Sequence, residues 1–347
     1  MEKIQLTVQS RVPHVSQIIT GFLILKEQGC DIEIIDNSAD KTHPLHELPA
    51  ITAKVGGKTV VYDLWDGYND PEDMIMCLEN CDFYFKRSFS QEKNAKILGQ
   101  YQEKIYPLGF NYHVTHKHNP INEPLWKHLA KPLLGKTPDR YFVPEVFEGQ
   151  ALKTHGPVKI LFLARLWDDK EPGFSAEDHA ERTYINQMRI EIIRALRETY
   201  GDSFIGGLND NALSRAWAPD LIMSGEYTER KNYLKLLHSC DICIGSMGLF
   251  ESIGWKTAEY VAAAKSIVNE RFHYSVPGGF EEGKNYLAFS TAAECISAVQ
   301  RLAEDPEGLY RMKRENEAYY RAYLKPEMLV KNSLELVERE IARQAEK

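Results

Sequence analysis

No stretch of this 347-residue chain holds enough consecutive apolar residues to cross a bilayer, which excludes an integral membrane protein built of helices. The opening MEKIQLTVQSRVP lacks the apolar core of a secretory signal and reads as a strand, so the cytoplasm is the expected compartment. Cysteine is scarce. Six residues, Cys30, Cys77, Cys81, Cys240, Cys243 and Cys295, are scattered without the density of a disulfide framework and read as reduced thiols. Cys240 and Cys243 have the two-residue gap of a metal pair, but no second pair completes a zinc site. Internal repeats and low-complexity tracts are absent. So are the full phosphate-loop motif, glycine-x4-glycine-lysine-serine/threonine, and a serine elbow between glycines, so nucleotide hydrolysis and acyl transfer lose support. With 42 basic against 50 acidic residues, a formal charge of −8, the chain also lacks the dense positive surface that nucleic acid requires.

What remains is the composition of a soluble globular protein, 43% hydrophobic and 27% charged, and a length that fits two domains. Strand-like and helix-like segments alternate in both halves, the pattern of an α/β protein with parallel sheets covered by helices. In the first half, Lys3 to Val8, Asp31 to Ile35, Ile51 to Val55, Lys58 to Leu64 and Asp82 to Phe85 read as strands, with helices at Val15 to Gln28 and Gln91 to Leu98. Gly56-Gly57 joins two of these strands as a hairpin or a close pair. Prolines 120, 124, 132, 138, 144 and 157 then interrupt regular structure, and the linker falls near Glu148 to Gly156. The second half restarts with strand Val158 to Ala164, helix Gln187 to Tyr200 and strand Ser203 to Ile205. Helix Glu229 to His238 leads into the strand pattern DICIG. The expected division is 1–150, 157–322 and a terminal helix in 323–347, with an apolar stripe at Leu329, Val330, Ser333, Leu334 and Val337.

Directly after DICIG comes GLFESIGWKTAEYVAAAKSIV, in which Glu251 and Glu259 bracket seven residues. Read as one helix, the segment sets its two carboxylates about 80° apart in rotation and about 12 Å apart along the axis. A helix start attracts phosphate and carboxylates accept hydrogen bonds from sugar hydroxyls, so the pattern suits a phosphorylated, hydroxyl-rich ligand. Two solvated acids on an amphipathic helix is the other reading of the spacing alone. The segment, with the order of elements downstream of it, resembles the donor site of the retaining GT-B-fold glycosyltransferases of group 1, the family of sucrose and glycogen synthases. The likeness runs from about Val158 to Met312, and covers the first half only in outline.

The resemblance implies two Rossmann-like domains facing a cleft, with the terminal helix crossing back to the first. It implies transfer of a sugar from a diphosphate-activated donor, either a nucleotide sugar or phosphoribosyl pyrophosphate, to a hydroxyl of a glycan or lipid-linked glycan, with retention. Glu259 would hold the donor's ribose and Glu251 would lie near the transferred sugar. Arg165 and Lys170, in LFLARLWDDKEPG, match the arginine and lysine the family places after a strand to meet the diphosphate. The match is incomplete, because Ala164 stands for a glycine and Glu171-Pro172 follow the lysine. Amides of Ser246, Gly248, Leu249 and Phe250 would reach the same phosphates.

No aspartate-x-aspartate triplet occurs, so a metal-independent reaction without a cofactor is expected. In the first half, His14, His113, Lys86 and Arg87 follow strand ends and are candidates for the acceptor or sugar pocket, each equally readable as an ordinary surface or structural residue. The segment from His113 to Arg140 mixes basic and apolar residues. It reads as a solvated surface or as one resting on an anionic membrane that carries a lipid-linked acceptor. An epimerase or phosphorylase on the same fold, and a catalytically silent sugar-binding protein, stay open beside transfer.

Overall fold

A computed structural model describes residues 3–122 and 142–345. The chain forms two compact units, one of Met1–Glu145, Tyr274–Gly279 and Arg321–Lys347, the other of Val146–His273 and Phe280–Tyr320. Most of the expected basic segment between His113 and Arg140 lies outside the described residues.

The first unit is built on a sheet of β1 (Ile4–Val8), β2 (Ile32–Asp36), β3 (Ala50–Val55), β4 (Lys58–Asp63), β5 (Phe83–Lys86) and β6 (Ile105–Pro107), in the order β2-β1-β3-β4-β5-β6. Strand β3 runs antiparallel to both neighbours and the other pairs are parallel, so the sheet is mixed where a parallel one was expected. The cause is local. Gly56 and Gly57 take φ of 54° and 75°, left-handed values that close a two-residue hairpin between β3 and β4. Helix α1 (Ser16–Glu27) covers one face, and α2 (Pro71–Glu79) leads into β5. The expected helix over Gln91 to Leu98 is instead a single α-turn followed by a π-turn.

The second unit carries β7 (Ile160–Ala164), β8 (Phe204–Leu208), β9 (Ile242–Gly245), β10 (Ser266–Glu270) and β11 (Leu287–Phe289), all parallel, in the order β11-β10-β9-β7-β8. Every residue of β7 and β9 is buried, as parallel strands covered on both faces demand. The long α3 (Ala176–Tyr200) begins well before the expected Gln187, because Ser175 and Asp178 form a reciprocal capping box. Next come α4 (Ala212–Trp217), α5 (Arg230–Ser239), α6 (Trp255–Ala262), α7 (Ala292–Glu304) and α8 (Pro306–Tyr319).

The last helix, α9 (Pro326–Ala345), belongs to the first unit, where Leu329, Val330, Leu334 and Val337 join Ile18, Ile19 and Phe22 in the core. Tyr62 Oη and Ser333 Oγ lie 2.8 Å apart beneath it, and Gln17 Nε2 donates to the Leu324 carbonyl.

Candidate functional site

Chain order reverses in the second sheet between β7 and β9: one crossover leads outward to β8, the next returns past β7 to β9. In such sheets the carboxyl ends of the two flanking strands diverge and leave a crevice. Here β7 runs out into Arg165, and β9 into Ser246 and Met247.

One side chain ties these two strand ends together. Arg189, in the middle of α3 and 7% exposed, donates from Nη1 to the Arg165 carbonyl (2.6 Å), from Nε to Ser246 Oγ (2.9 Å) and from Nη2 to the Met247 carbonyl (2.9 Å). Burial pushes its pKa down to about 10, against the pull of the Glu270 charge, so it stays a cation at neutral pH. Glu270, at the end of β10, accepts the Met247 N–H at 2.8 Å, and burial raises its carboxyl above the ordinary range. The turn after β7 is fixed from the same helix: Trp167 N–H donates to Asn186 Oδ1 (2.8 Å) while Asn186 Nδ2 donates to the Trp167 carbonyl (2.7 Å). On this support the exposed Arg165 guanidinium lies 3.9 Å over the Trp167 ring.

The segment after β9 corrects one expectation. Glu251 is not on the helix that carries Glu259. It ends a short 3-10 turn, Leu249–Glu251, in which Phe250 and Glu251 take φ of 57° and 61°, and α6 begins only at Trp255 with Gly254 as its N-cap. The helical rotation computed between the two acids therefore does not apply. Gly248 closes the turn by donating its N–H to the Ser252 carbonyl (2.8 Å), and a Cβ there would stand 2.5 Å from Ser252 Oγ. The Glu251 amide donates to Glu181 Oε1 (3.0 Å), and its half-buried carboxylate lies 3.6 Å from His273 Nδ1.

Glu259 is 4% exposed, with one partner on each oxygen: Arg230 Nη2 reaches Oε1 at 3.0 Å and the Tyr233 hydroxyl donates to Oε2. Arg230 itself lies 4.6 Å over the Phe147 ring. One turn before Glu259, Lys256 extends to the end of β7 and donates to the Leu163 carbonyl. Burial pushes its ammonium down to about 8; the Glu259 charge raises it, while Arg189, Arg230 and Arg165 lower it further.

The structure thus brings Arg165 and Ser246 together through Arg189, and sets Glu259 and Arg165 within electrostatic reach of Lys256. Gly248, Leu249, Phe250 and Glu251 form the turn between them. Lys170 is exposed on the loop after β7, with its amide on Asp168 Oδ1 at 2.9 Å. Arg189, Lys256, Arg230, Tyr233 and Glu270 were not singled out from the sequence. Only Lys256 and Arg230 gave a signal, the first inside the acid-bracketed segment and the second at the head of the helix before β9.

The first-unit candidates fall in three places. Lys86 is fully buried, 2.7 Å from Asp63 Oδ2, and also donates to the Gly67 carbonyl (2.9 Å). Arg87 contacts Asp66 Oδ1 at 2.5 Å, and half-buried His14 has its pKa lowered by burial and by the Arg87 charge. His113 stacks on Phe142, ring centres 4.6 Å apart. Among the described residues no cluster of His, Cys, Asp or Glu side chains is placed to hold a metal ion, and no helix is long and apolar enough to cross a membrane.

No protein-family model matches the sequence, and no curated protein does. Solved structures with a similar course of the backbone include Anabaena HepE in complex with UDP, with a TM-score of 0.48 and 12% identity over 97% of this chain and 100% of that one. The sucrose-phosphate synthase of Thermosynechococcus elongatus matches at a TM-score of 0.38, with 12% identity over 95% of this chain and 93% of that one. A Listeria monocytogenes protein designated a UDP-N-acetylglucosamine 2-epimerase matches at 0.44, with 13% identity over 98% and 97% of the two chains. At these scores and identities the likeness concerns general architecture, and the chemistry of the site rests on its own residues.

Proposed function

We propose that the chain is a glycosyltransferase that moves a sugar from a diphosphate-activated donor to a hydroxyl of a glycan or lipid-linked glycan. The observation that carries this reading is the strand reversal, where Arg189 ties the Arg165 backbone at the end of β7 to Ser246 and Met247 at the end of β9 and the Arg165 guanidinium stays exposed beside Trp167. A diphosphate suits that place: it needs a fixed cation on one side and backbone amides on the other, held ready before charge develops.

A carboxylate has about four acceptor sites. Arg230 and Tyr233 take two on Glu259, leaving two for the hydroxyls of a donor ribose. Glu251 borders the same crevice with a more exposed carboxylate, suited to the transferred sugar. In the reaction the bond from the anomeric carbon to the diphosphate oxygen breaks, and its electron pair stays on that oxygen. The acceptor oxygen bonds to the carbon from the same face, which retains configuration, and its proton passes to the departing phosphate. Protein cations neutralise the leaving group in place of a divalent ion. The donor class we favour is a nucleoside diphosphate sugar.

Thermal unfolding against a panel of nucleoside diphosphate sugars and phosphoribosyl pyrophosphate tests the donor, since a ligand held by the folded state raises its stability. One donor is expected to raise the melting temperature, with release of its diphosphate product only when an acceptor is added. Product released without acceptor would point to an epimerase, and no stabilisation by any donor would overturn the reading.

A further inference from the structure

A diphosphate leaving group gains charge as the glycosidic bond breaks, and a single guanidinium open to water neutralises only part of it. A second cation near Arg165 would share that charge with the backbone amides. Arg189 acts instead through the loops it positions: its buried guanidinium holds two carbonyls and a hydroxyl and draws the ends of β7 and β9 together. Arg230 is held by Glu259, and Lys170 is exposed on the loop that follows β7.

Lys256 satisfies the geometry. Its ammonium lies at the carboxyl end of β7, bonded to the carbonyl two residues before Arg165, on the first turn of the helix that follows the β9 turn. Of its three N–H bonds only the one to Leu163 has a hydrogen-bond partner among the described residues. Its charged neighbours are Glu259, Arg189, Arg230 and Arg165, three cations against one acid, a field that favours an arriving anion.

We propose that Lys256, not Lys170, is the catalytic cation that meets the departing diphosphate beside Arg165, an inference that rests on the glycosyl-transfer reading above. Lys256 stays protonated throughout and moves no proton; its two open N–H bonds turn to the diphosphate oxygen that receives the electron pair. Because burial lowers its pKa to about 8, a bound anion favours the charged form, and binding weakens as pH rises through that value.

Calorimetric titration with inorganic diphosphate tests the proposal on wild type, Lys256→Met, Lys256→Arg and Lys170→Ala. Lys256→Met is expected to weaken binding on the order of tenfold or more, as for one charged hydrogen bond, and Lys170→Ala to stay within about twofold. Lys256→Arg keeps its charge, so it should bind at pH 7 and lose the fall in affinity that wild type shows through pH 8. Equal binding by wild type and a folded Lys256→Met would overturn the assignment. If Lys256→Met does not fold, the pH comparison decides: a Lys256→Arg curve that falls in parallel with wild type overturns it equally. Failure of wild type to bind diphosphate at all would instead sink the glycosyl-transfer reading itself.

Discussion

The buried guanidinium of Arg189 donates to the backbone oxygen of Arg165 at 2.6 Å, so a residue halfway along a helix sets the turn that leaves β7. Two more of its donors hold the turn that leaves β9. Lysine would keep the charge but has no planar fork to reach three acceptors at once. Arg189→Lys is expected to cost about 3 kcal/mol in urea denaturation and to abolish stabilisation by donor. An unchanged midpoint would mean the three bonds hold nothing that matters.

A buried ion pair in the first unit allows a cleaner stability test. Lys86 and Asp63 lie 2.7 Å apart with no exposed side-chain surface, and Tyr84 donates its hydroxyl to the same carboxylate oxygen at 2.8 Å. Removing one charge strands the other in a medium that cannot solvate it. Asp63→Asn should therefore cost about 3–5 kcal/mol, while Asp63→Asn with Lys86→Met should cost less than the single change. A double variant that costs as much as Asp63→Asn alone, or more, would refute that account.

The same residues show what the sequence could and could not tell. Strand and helix alternation, the Gly56-Gly57 hairpin and the apolar stripe from Leu329 to Val337 are patterns of neighbours along the chain, and such patterns survive into the fold. Lys86 after an aromatic strand reads as a pocket cation or a plain charged strand end, because the Asp63 that it pairs with comes from the adjacent strand 23 residues earlier. Arg189 is one of several arginines in α3, and helical period tells which face it takes but not that three loop atoms wait there. Two consecutive left-handed residues that are not glycine leave no mark in composition, so Glu251 reads as the opening of a helix that starts only at Trp255. Arg165, Ser246 and Glu259 stand out in the sequence because each sits close to a strand end or inside the acid-bracketed segment.

Glu270 predicts a pH dependence. Its folded-state pKa is raised above the ordinary 4.5, chiefly by burial, so between these values the folded chain binds more protons than the unfolded one. Stability from this group is present below 4.5 and is lost as pH rises through the folded value. Glu270→Gln keeps an oxygen for the Met247 N–H and removes the titration. Its denaturation midpoint should vary less with pH just above 4.5 than that of wild type; parallel curves would reject Glu270 as the source.

Backbone strain at Glu251 separates stability from function. With φ of 61° any residue bearing a Cβ is disfavoured there, by about 1–2 kcal/mol. Glu251→Gly should then melt higher than Glu251→Ala, although both lose the carboxylate and, on the glycosyl-transfer proposal, transfer with it. Equal melting temperatures would show that the turn relaxes without strain.

The most stringent packing prediction falls on α1, where Gly21 faces the start of α9. A Cβ at that position would collide with the Pro326 carbonyl oxygen and lie 2.6 Å from Val330 Cγ2, and backbone cannot swing aside as a flexible side chain does. Alanine normally favours a helix over glycine by up to about 1 kcal/mol. Here overpacking outweighs propensity, at about 1–3 kcal/mol. Gly21→Ala should therefore lower stability even though it improves the helix, and the loss should appear as faster amide exchange along Leu329, Val330, Ser333 and Leu334. A Gly21→Ala protein as stable as wild type, with α9 equally protected, would show that α1 and α9 do not approach as closely as these atoms require.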